Sequence, residues 1–239
     1  MKCLIFAAGL GTRLKPLTDM MPKALVPVGG MPLIGHVTRK LKASGVNEAV
    51  VNVHHFADMV QDWVENQDIL KMNVSDEREC LLETGGGVLH ARPYLEGCGR
   101  FLIHNVDILS NLHLPTFIQT HNSNDAATLV VSQRETSRYL LFDENQRMCG
   151  WRNMKTNEVK PQELAIQSLH HLAFSGIQII SPQALQHLEQ MPERFSIIDF
   201  YLHVMNTMPI RAYIPSEYKM IDVGKIDTLQ AADHFLKTF

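Results

Sequence analysis

The residues best suited to chemistry are two glycines, an arginine and a lysine near the amino terminus. Gly9 and Gly11 come directly after an apolar run from Cys3 to Ala8, and Arg13 and Lys23 follow them. Glycine leaves no Cβ between the main chain and a ligand, and consecutive amides in such a turn direct their N–H groups into a concavity that suits phosphate oxygens. The segment predicts an anion-binding loop that carries its own cations.

Two common phosphate-binding motifs match this segment only in part. A dinucleotide-binding turn requires a third glycine where Leu14 stands, and Gly11-Thr12-Arg13 does not supply the Gly-Lys-Ser/Thr of a Walker loop. A glycine pair after a strand therefore leaves open whether the loop binds a ligand at all.

Two aspartates and a second glycine run are the other candidates. Asp107 follows the apolar run from Phe101 to Ile103, at the carboxyl end of a predicted parallel strand, where ligands of open α/β sheets collect. Asp222 precedes a turn and a predicted helix. Two such carboxylates suit Mg²⁺ together with phosphates and water, although either could instead cap the element that follows it. The run Gly85–Gly87 predicts either a main chain that a ligand approaches before a helix at Val88, or a flexible turn.

Together these motifs resemble those of the sugar-phosphate nucleotidyltransferases, over nearly the whole chain. The resemblance rests on five segments, which are residues 9–18 with Pro22-Lys23, residues 83–87, residues 105–107, residues 175–177 and residues 218–224. Two positions depart from the family pattern. Val106 replaces a glycine, and Lys225 stands where many relatives have threonine.

The resemblance implies a Mg²⁺-dependent enzyme that transfers a nucleotidyl group from a nucleoside triphosphate to a sugar 1-phosphate and releases pyrophosphate. It implies Arg13 and Lys23 as catalytic residues and Asp107 and Asp222 as metal ligands. The nucleotide would contact Ala8, Gly9, Gly11, Thr12, Arg13 and Gly86. The sugar would contact Glu83, Gly87, Asn105 and Gly176.

Within the family, the short chain with Glu-Thr-Gly-Gly-Gly favours the N-acetylmuramate 1-phosphate uridylyltransferases of cell-wall recycling. Mannose or heptose 1-phosphate guanylyltransferases are the alternative. A non-catalytic, ligand-sensing homologue is a third possibility, against which the retained Arg13, Lys23 and both aspartates argue. A nicotinamide-dependent oxidoreductase is disfavoured by Leu14 and by the lack of an evident ribose-binding acid.

The elements that must position these residues alternate between strand and helix, which predicts a mostly parallel sheet covered by helices. The resemblance implies a Rossmann-like three-layer α/β/α fold in one domain, residues 1–239. The first half has predicted strands at 3–8, 48–53, 71–74, 100–105 and 127–131, a short extended piece at 24–28, and helices at 33–41 and 57–64. From about residue 136, antiparallel strands at 139–143, 148–152 and 169–180 predict a small C-terminal lobe. Helices at 182–190, 198–206 and 226–236 and a strand at 210–214 complete the prediction.

Composition excludes several classes of function. A net charge of −3 without a basic block argues against nucleic acid as the main partner. No segment approaches the roughly 18 apolar residues of a membrane helix. The four cysteines form no Cys-x-x-Cys pair, which argues against a zinc site or a disulfide framework. We therefore expect a cytoplasmic protein without membrane partners, and the sequence indicates no oligomeric state.

Overall fold

The computed structural model describes residues 1–238, which form a ten-stranded mixed sheet with helices on both faces. The strands are β1 (Lys2–Phe6), β2 (Pro27–Val28), β3 (Met31–Pro32), β4 (Glu48–Val53), β5 (Lys71–Asp76), β6 (Phe101–Asn105), β7 (Ile108–Ser110), β8 (Ala127–Ser132), β9 (Arg138–Phe142), β10 (Met148–Asn153), β11 (Val159–Lys160), β12 (His170–Ile180), β13 (Ile210–Tyr213) and β14 (Met220–Asp222). The helices are α1 (Leu33–Ala43), α2 (Ala57–Asn66), α3 (Glu83–Leu95), α4 (Leu114–Thr120), α5 (Pro182–Leu188), α6 (Ile197–Val204) and α7 (Ile226–Phe235).

The sheet is parallel at its centre and antiparallel beyond it. Its strand order is β11-β10-β9-β12-β6-β1-β4-β5, and β8 pairs with both β12 and β13. Strands β5, β4, β1 and β6 are mutually parallel, so their carboxyl ends meet at one edge of the sheet. The predicted glycine loop follows β1 and Asp107 follows β6, so both lie at this edge.

The alternation of side chains along β1 divides the core into two layers. Cys3 and Ile5 pack in the cluster that includes residues of α1, α2, α4 and α7, whereas Leu4 and Phe6 pack in the cluster that includes α3, α5 and α6. Burial of both faces explains why the central strands are almost continuously apolar. The predicted three-layer α/β/α architecture is confirmed.

The predicted antiparallel lobe is the extension of the same sheet by β9, β10 and β11. These strands join the parallel part through β12, which pairs with β9 near its start and with β6 near its end. The lobe therefore stands next to the edge at which β6 ends.

The prediction that a helix begins at Val88 is wrong, because α3 begins at Glu83 and contains the whole glycine run. The flexible-turn alternative is wrong for the same reason. The glycines are needed for packing: an added Cβ at Gly85 would lie 2.3 Å from the ring of Phe195, and one at Gly86 would lie 2.4 Å from the carbonyl oxygen of Glu193. Close packing thus outweighs the low helix propensity of glycine here.

The predicted extended piece at residues 24–28 is also partly wrong. Residues Lys23–Leu25 form a 3-10 turn, and only Pro27–Val28 is a strand. Helix α4 and the short pair β7 and β14 were not predicted. Within residues 1–238, no helix has both the length and the apolarity required to cross a membrane.

Candidate active site

A cavity of about 540 Å³ lies at the carboxyl ends of β1, β4 and β6. The loop after β1, here called the glycine loop (residues 7–14), contributes the predicted nucleotide-binding residues Ala8, Gly9, Gly11, Thr12 and Arg13 to its wall. Other segments contribute Lys23, Glu83, Asn105 and Asp107. The fold thus brings together residues that are up to about one hundred positions apart in the chain.

Gly11 allows the glycine loop to turn. Its φ is +62°, and an added Cβ would lie 2.8 Å from the Thr18 side chain and 3.1 Å from that of Lys23. The Gly11 carbonyl accepts hydrogen bonds from the Leu14 amide at 2.8 Å and from the Thr18 hydroxyl at 2.9 Å. A residue other than glycine would be both strained and crowded at this position.

Asn52, at the end of β4, fixes the start of the glycine loop. Its Oδ1 accepts hydrogen bonds from the amides of Ala7 and Ala8 at 2.7 and 3.3 Å, and its Nδ2 donates to Glu77 at 2.8 Å. Glu77 is 3% exposed, and this burial raises the pKa of its carboxyl. Neither residue was identified from the sequence. Asn52 could have been found as the polar residue within the apolar strand from Val50 to Val53.

The two predicted metal ligands are neighbours. Asp222 on β14 pairs with Ile108 on β7, and the Val223 amide donates to the Asp107 carbonyl at 2.9 Å. Asp222 is exposed as a residue, but desolvation of its carboxyl by neighbouring protein atoms and then the charge of Asp107 raise the pKa of Asp222, whereas Lys23 and Arg13 act in the opposite direction. Lys23 pairs with Asp107, and a Cβ added at Gly224 would lie 2.8 Å from the Asp222 carboxylate and 3.1 Å from the Arg13 guanidinium, so each aspartate has a cation near it.

Neither aspartate is a cap. The Asp107 carboxylate pairs with the Lys23 ammonium, and both side chains are largely buried. The residue that caps α7 is Lys225, whose amide donates to the Thr228 hydroxyl at 3.1 Å. Asp222 thus stands apart from the helix, and the capping alternative is wrong for both aspartates.

Glu83 lies at the start of α3 with a φ of +64°, a conformation that residues other than glycine rarely adopt. Its carboxylate pairs with the Arg194 guanidinium at 3.2 Å. The adjoining backbone is also fixed, because the Gly85 amide donates to the Phe195 carbonyl at 2.9 Å and the Ile197 amide donates to the Thr84 hydroxyl at 2.9 Å. The segment before α6 therefore holds the start of α3 against the cavity.

Three of the glycines predicted to bind ligands, Gly86, Gly87 and Gly176, pack closely against other residues of the protein. An added Cβ at Gly87 would lie 2.9 Å from Asn52 and Glu77, and one at Gly176 would lie 2.6 Å from the Asn105 amide. Gly86 packs against the segment before α6, as described above. These positions support the wall, and direct ligand contacts by the three glycines stay predictions.

A second cavity, of about 400 Å³, lies beside the first and shares Phe6, Thr84 and Asn105 with it. Its other walls are the antiparallel lobe, including Arg138 and Trp151, and the start of α6. Because the two cavities share part of one wall, they are together called the cleft below.

Two solved structures share this fold over nearly their whole length. HddC from Yersinia pseudotuberculosis, solved with GMP-PN, is 23% identical with a TM-score of 0.77, and the match covers 98% of this chain and 99% of that one. A UDP-glucose pyrophosphorylase from Acinetobacter baumanii is 19% identical with a TM-score of 0.80, covering 98% and 92%. At these identities the likeness concerns the fold.

The similar sequences carry two different names. N-acetylmuramate alpha-1-phosphate uridylyltransferase of Caulobacter vibrioides is 46% identical over 108 residues, which are 44% of each chain. The protein of that name in Neisseria meningitidis serogroup B is 31% identical over 194 residues, 79% of each chain. Mannose-1-phosphate guanylyltransferase 1 of Arabidopsis thaliana is 30% identical over 200 residues, 80% of this chain. The match spans less than half of the Caulobacter protein and 53% of the Arabidopsis one.

One family accounts for almost every residue. The sequence profile described as Nucleotidyl transferase matches residues 2–238, which include the glycine loop, both aspartates and the lobe. The resemblance inferred from the motifs is thereby confirmed. The chain belongs to the nucleotidyl transferase family.

Proposed function

We propose that this protein transfers a uridylyl group from UTP to N-acetylmuramate 1-phosphate and releases pyrophosphate. The observation that carries nucleotidyl transfer is the cleft, in which Arg13, Lys23 and Asp107 lie beside a glycine loop at the end of the parallel strands, with Asp222 on the strand next to Asp107. The similarity to proteins named N-acetylmuramate alpha-1-phosphate uridylyltransferase supports the choice of substrates.

The reaction asks mainly for positioning and neutralisation of charge. An oxygen of the sugar phosphate attacks the α-phosphorus in line, a new O–P bond forms, and the bond between the α-phosphorus and the bridging oxygen breaks as pyrophosphate leaves. Arg13, on the exposed side of the glycine loop, stabilises the departing phosphates. Lys23, deeper in the cleft, exchanges its Asp107 partner for phosphate oxygens of both substrates.

The donor set of the site suits Mg²⁺. Asp107 and Asp222 are adjacent, and among residues 1–238 no third histidine, cysteine, aspartate or glutamate completes a metal cage. Mg²⁺ typically takes one or two carboxylates and fills its remaining positions with phosphate oxygens and water. When bound, the ion would neutralise phosphate charge, and these two aspartates would hold it.

A guanylyltransferase acting on mannose 1-phosphate is the second candidate function. It is favoured by the similarity to the Arabidopsis protein, which covers 80% of this chain.

The test is a matrix of UTP, GTP, CTP, dTTP and ATP against N-acetylmuramate, N-acetylglucosamine, mannose and heptose 1-phosphates, with pyrophosphate release as the readout. We expect turnover mainly with UTP and N-acetylmuramate 1-phosphate, and little in a Lys23→Ala variant. The exposed Lys42→Ala variant is the matched control. Turnover mainly with GTP and mannose 1-phosphate would support the second candidate, and no turnover with any pair would contradict both.

A further inference from the structure

The wall of the second cavity contains an arginine, Arg138, that the transfer of phosphate does not require. In the antiparallel lobe, Trp151 pairs with Leu140 and Lys160, while Arg138 pairs with Asn153. Residues opposite one another in such strands share a face, and so do residues two positions apart. Arg138, Trp151 and Lys160 therefore lie on one face of the lobe, and all three line the second cavity.

The two cations of this wall differ in their partners. The Lys160 ammonium lies 3.6 Å from Glu158, 3.8 Å from Asp199 and 5.5 Å from the centre of the Trp151 ring. The Arg138 guanidinium forms no ion pair and no hydrogen bond with any part of residues 1–238. The N–H groups of the Arg138 guanidinium are therefore free to donate hydrogen bonds to a ligand in the second cavity.

The position of Arg138 separates it from the phosphates. Arg13, Lys23 and Asp107 line the first cavity, and Thr84 and Asn105 line both cavities. A sugar phosphate with its phosphate beside Lys23 and its ring in the second cavity would have that ring against the lobe. An arginine there suits a second anionic group on the ring, because the planar guanidinium pairs with carboxylate through two parallel hydrogen bonds.

We propose that the second cavity is a subsite for a sugar that bears a carboxylate and that Arg138 is its specificity-determining residue. Trp151 supplies an apolar wall for the ring, and the charge of Lys160 is balanced by Glu158 and Asp199. This inference rests on the proposed function and deepens it. N-acetylmuramate carries a lactyl carboxylate, whereas N-acetylglucosamine is the same sugar without that group, and mannose has no carboxylate either.

The experiment compares these two amino sugars in wild type and in Arg138→Met. The dissociation constants of N-acetylmuramate 1-phosphate and N-acetylglucosamine 1-phosphate are measured by calorimetry with a non-hydrolysable UTP analogue, and kcat/KM is measured with UTP. We expect wild type to prefer the carboxylate-bearing sugar, and Arg138→Met to weaken that sugar alone by about 10–100-fold, the range for charged hydrogen bonds. Arg138→Lys keeps the positive charge but loses the planar guanidinium. Its affinity for N-acetylmuramate 1-phosphate should lie between that of wild type and that of Arg138→Met. The matched control is Arg39→Met, an exposed arginine on α1 outside both cavities.

Three results would overturn the subsite: equal binding of the two sugars by wild type, a preference for the neutral sugar, or a preference that Arg138→Met leaves unchanged. Each of them is read from binding and holds whether or not the enzyme turns over. The absence of pyrophosphate release from every pair of substrates is a separate outcome, and it contradicts the proposed function.

Discussion

At the scale of single residues, the charges of the first cavity are unevenly paired. The Asp107 carboxylate has Lys23 as its partner, whereas the nearby Asp222 carboxyl is disfavoured as an anion by desolvation and by the charge of Asp107. An added cation would relieve the repulsion between the two carboxylates. Under the proposed function, Mg²⁺ would arrive together with phosphate groups that take over Lys23.

The Asp222→Asn variant tests this arrangement. It should lose almost all Mg²⁺-dependent turnover, and the double variant with Asp107→Asn should be little worse, because a site that acts as a unit is already lost when one ligand goes. The measurement is a Mg²⁺ titration of pyrophosphate release. Asp227→Asn, an exposed carboxylate in the first turn of α7, is the control. Full activity of Asp222→Asn at limiting Mg²⁺ would place the second ligand elsewhere.

Arg13 permits a cleaner separation of catalysis from folding. Its side chain is exposed, so Arg13→Ala should leave the melting temperature nearly unchanged. Loss of one charge-assisted contact made to the departing phosphates should lower kcat by roughly 10²–10³. Single-turnover kinetics and thermal unfolding of the same preparations check the two halves. Unaltered turnover in a folded variant would remove Arg13 from the reaction.

At the scale of elements, the start of α3 shows where sequence reasoning stops. Apolar runs predicted β1, β4 and β6 because a strand buried on both faces is apolar along its whole length. Three successive glycines, by contrast, indicate a loop by propensity, and only the packing of Phe195 and Glu193 against them makes them helical.

The same limit applies to the site. Asp107, Asp222 and the glycine loop could be predicted from local motifs, but the hydrogen bond between Asn52 and Glu77 joins residues on different elements. No local pattern marks that contact. Likewise, the face shared by Arg138 and Trp151 follows from strand register, which the sequence does not specify.

The packing of α3 predicts a sharp difference between two glycine variants. Gly85→Ala would place a Cβ 2.3 Å from the buried Phe195 ring and should lower the free energy of unfolding by about 1–3 kcal/mol. Gly99→Ala meets nothing within 4 Å and should change it by less than about 1 kcal/mol. Urea denaturation gives both values. Adding Phe195→Leu to Gly85→Ala should recover part of the loss, and no recovery would mean that another contact is responsible.

At the scale of the whole molecule, the fold keeps two histidines uncharged. Burial lowers the pKa of both His104 and His121 to about 4. His104 lies on β6, and its Nδ1 is 2.8 Å from the Asn105 carbonyl oxygen. It also borders a cavity of about 140 Å³ with Lys40, whose charge lowers its pKa further.

Stability should therefore depend on pH through His104. The pKa of an unfolded histidine is about 6.5, so between that value and about 4 the unfolded chain binds a proton that the folded chain does not, and stability falls as the pH falls through this range. At pH 5 the penalty from His104 is about 2 kcal/mol. The free energy of unfolding is measured by urea denaturation at pH 7.5 and at pH 5. Between these pH values it should fall by about 2 kcal/mol less in His104→Gln than in wild type, whatever the absolute stability of the variant. His170→Gln, at an exposed position on β12, should keep the wild-type dependence. If His104→Gln retains the full pH dependence, the proton taken up on unfolding belongs to other groups.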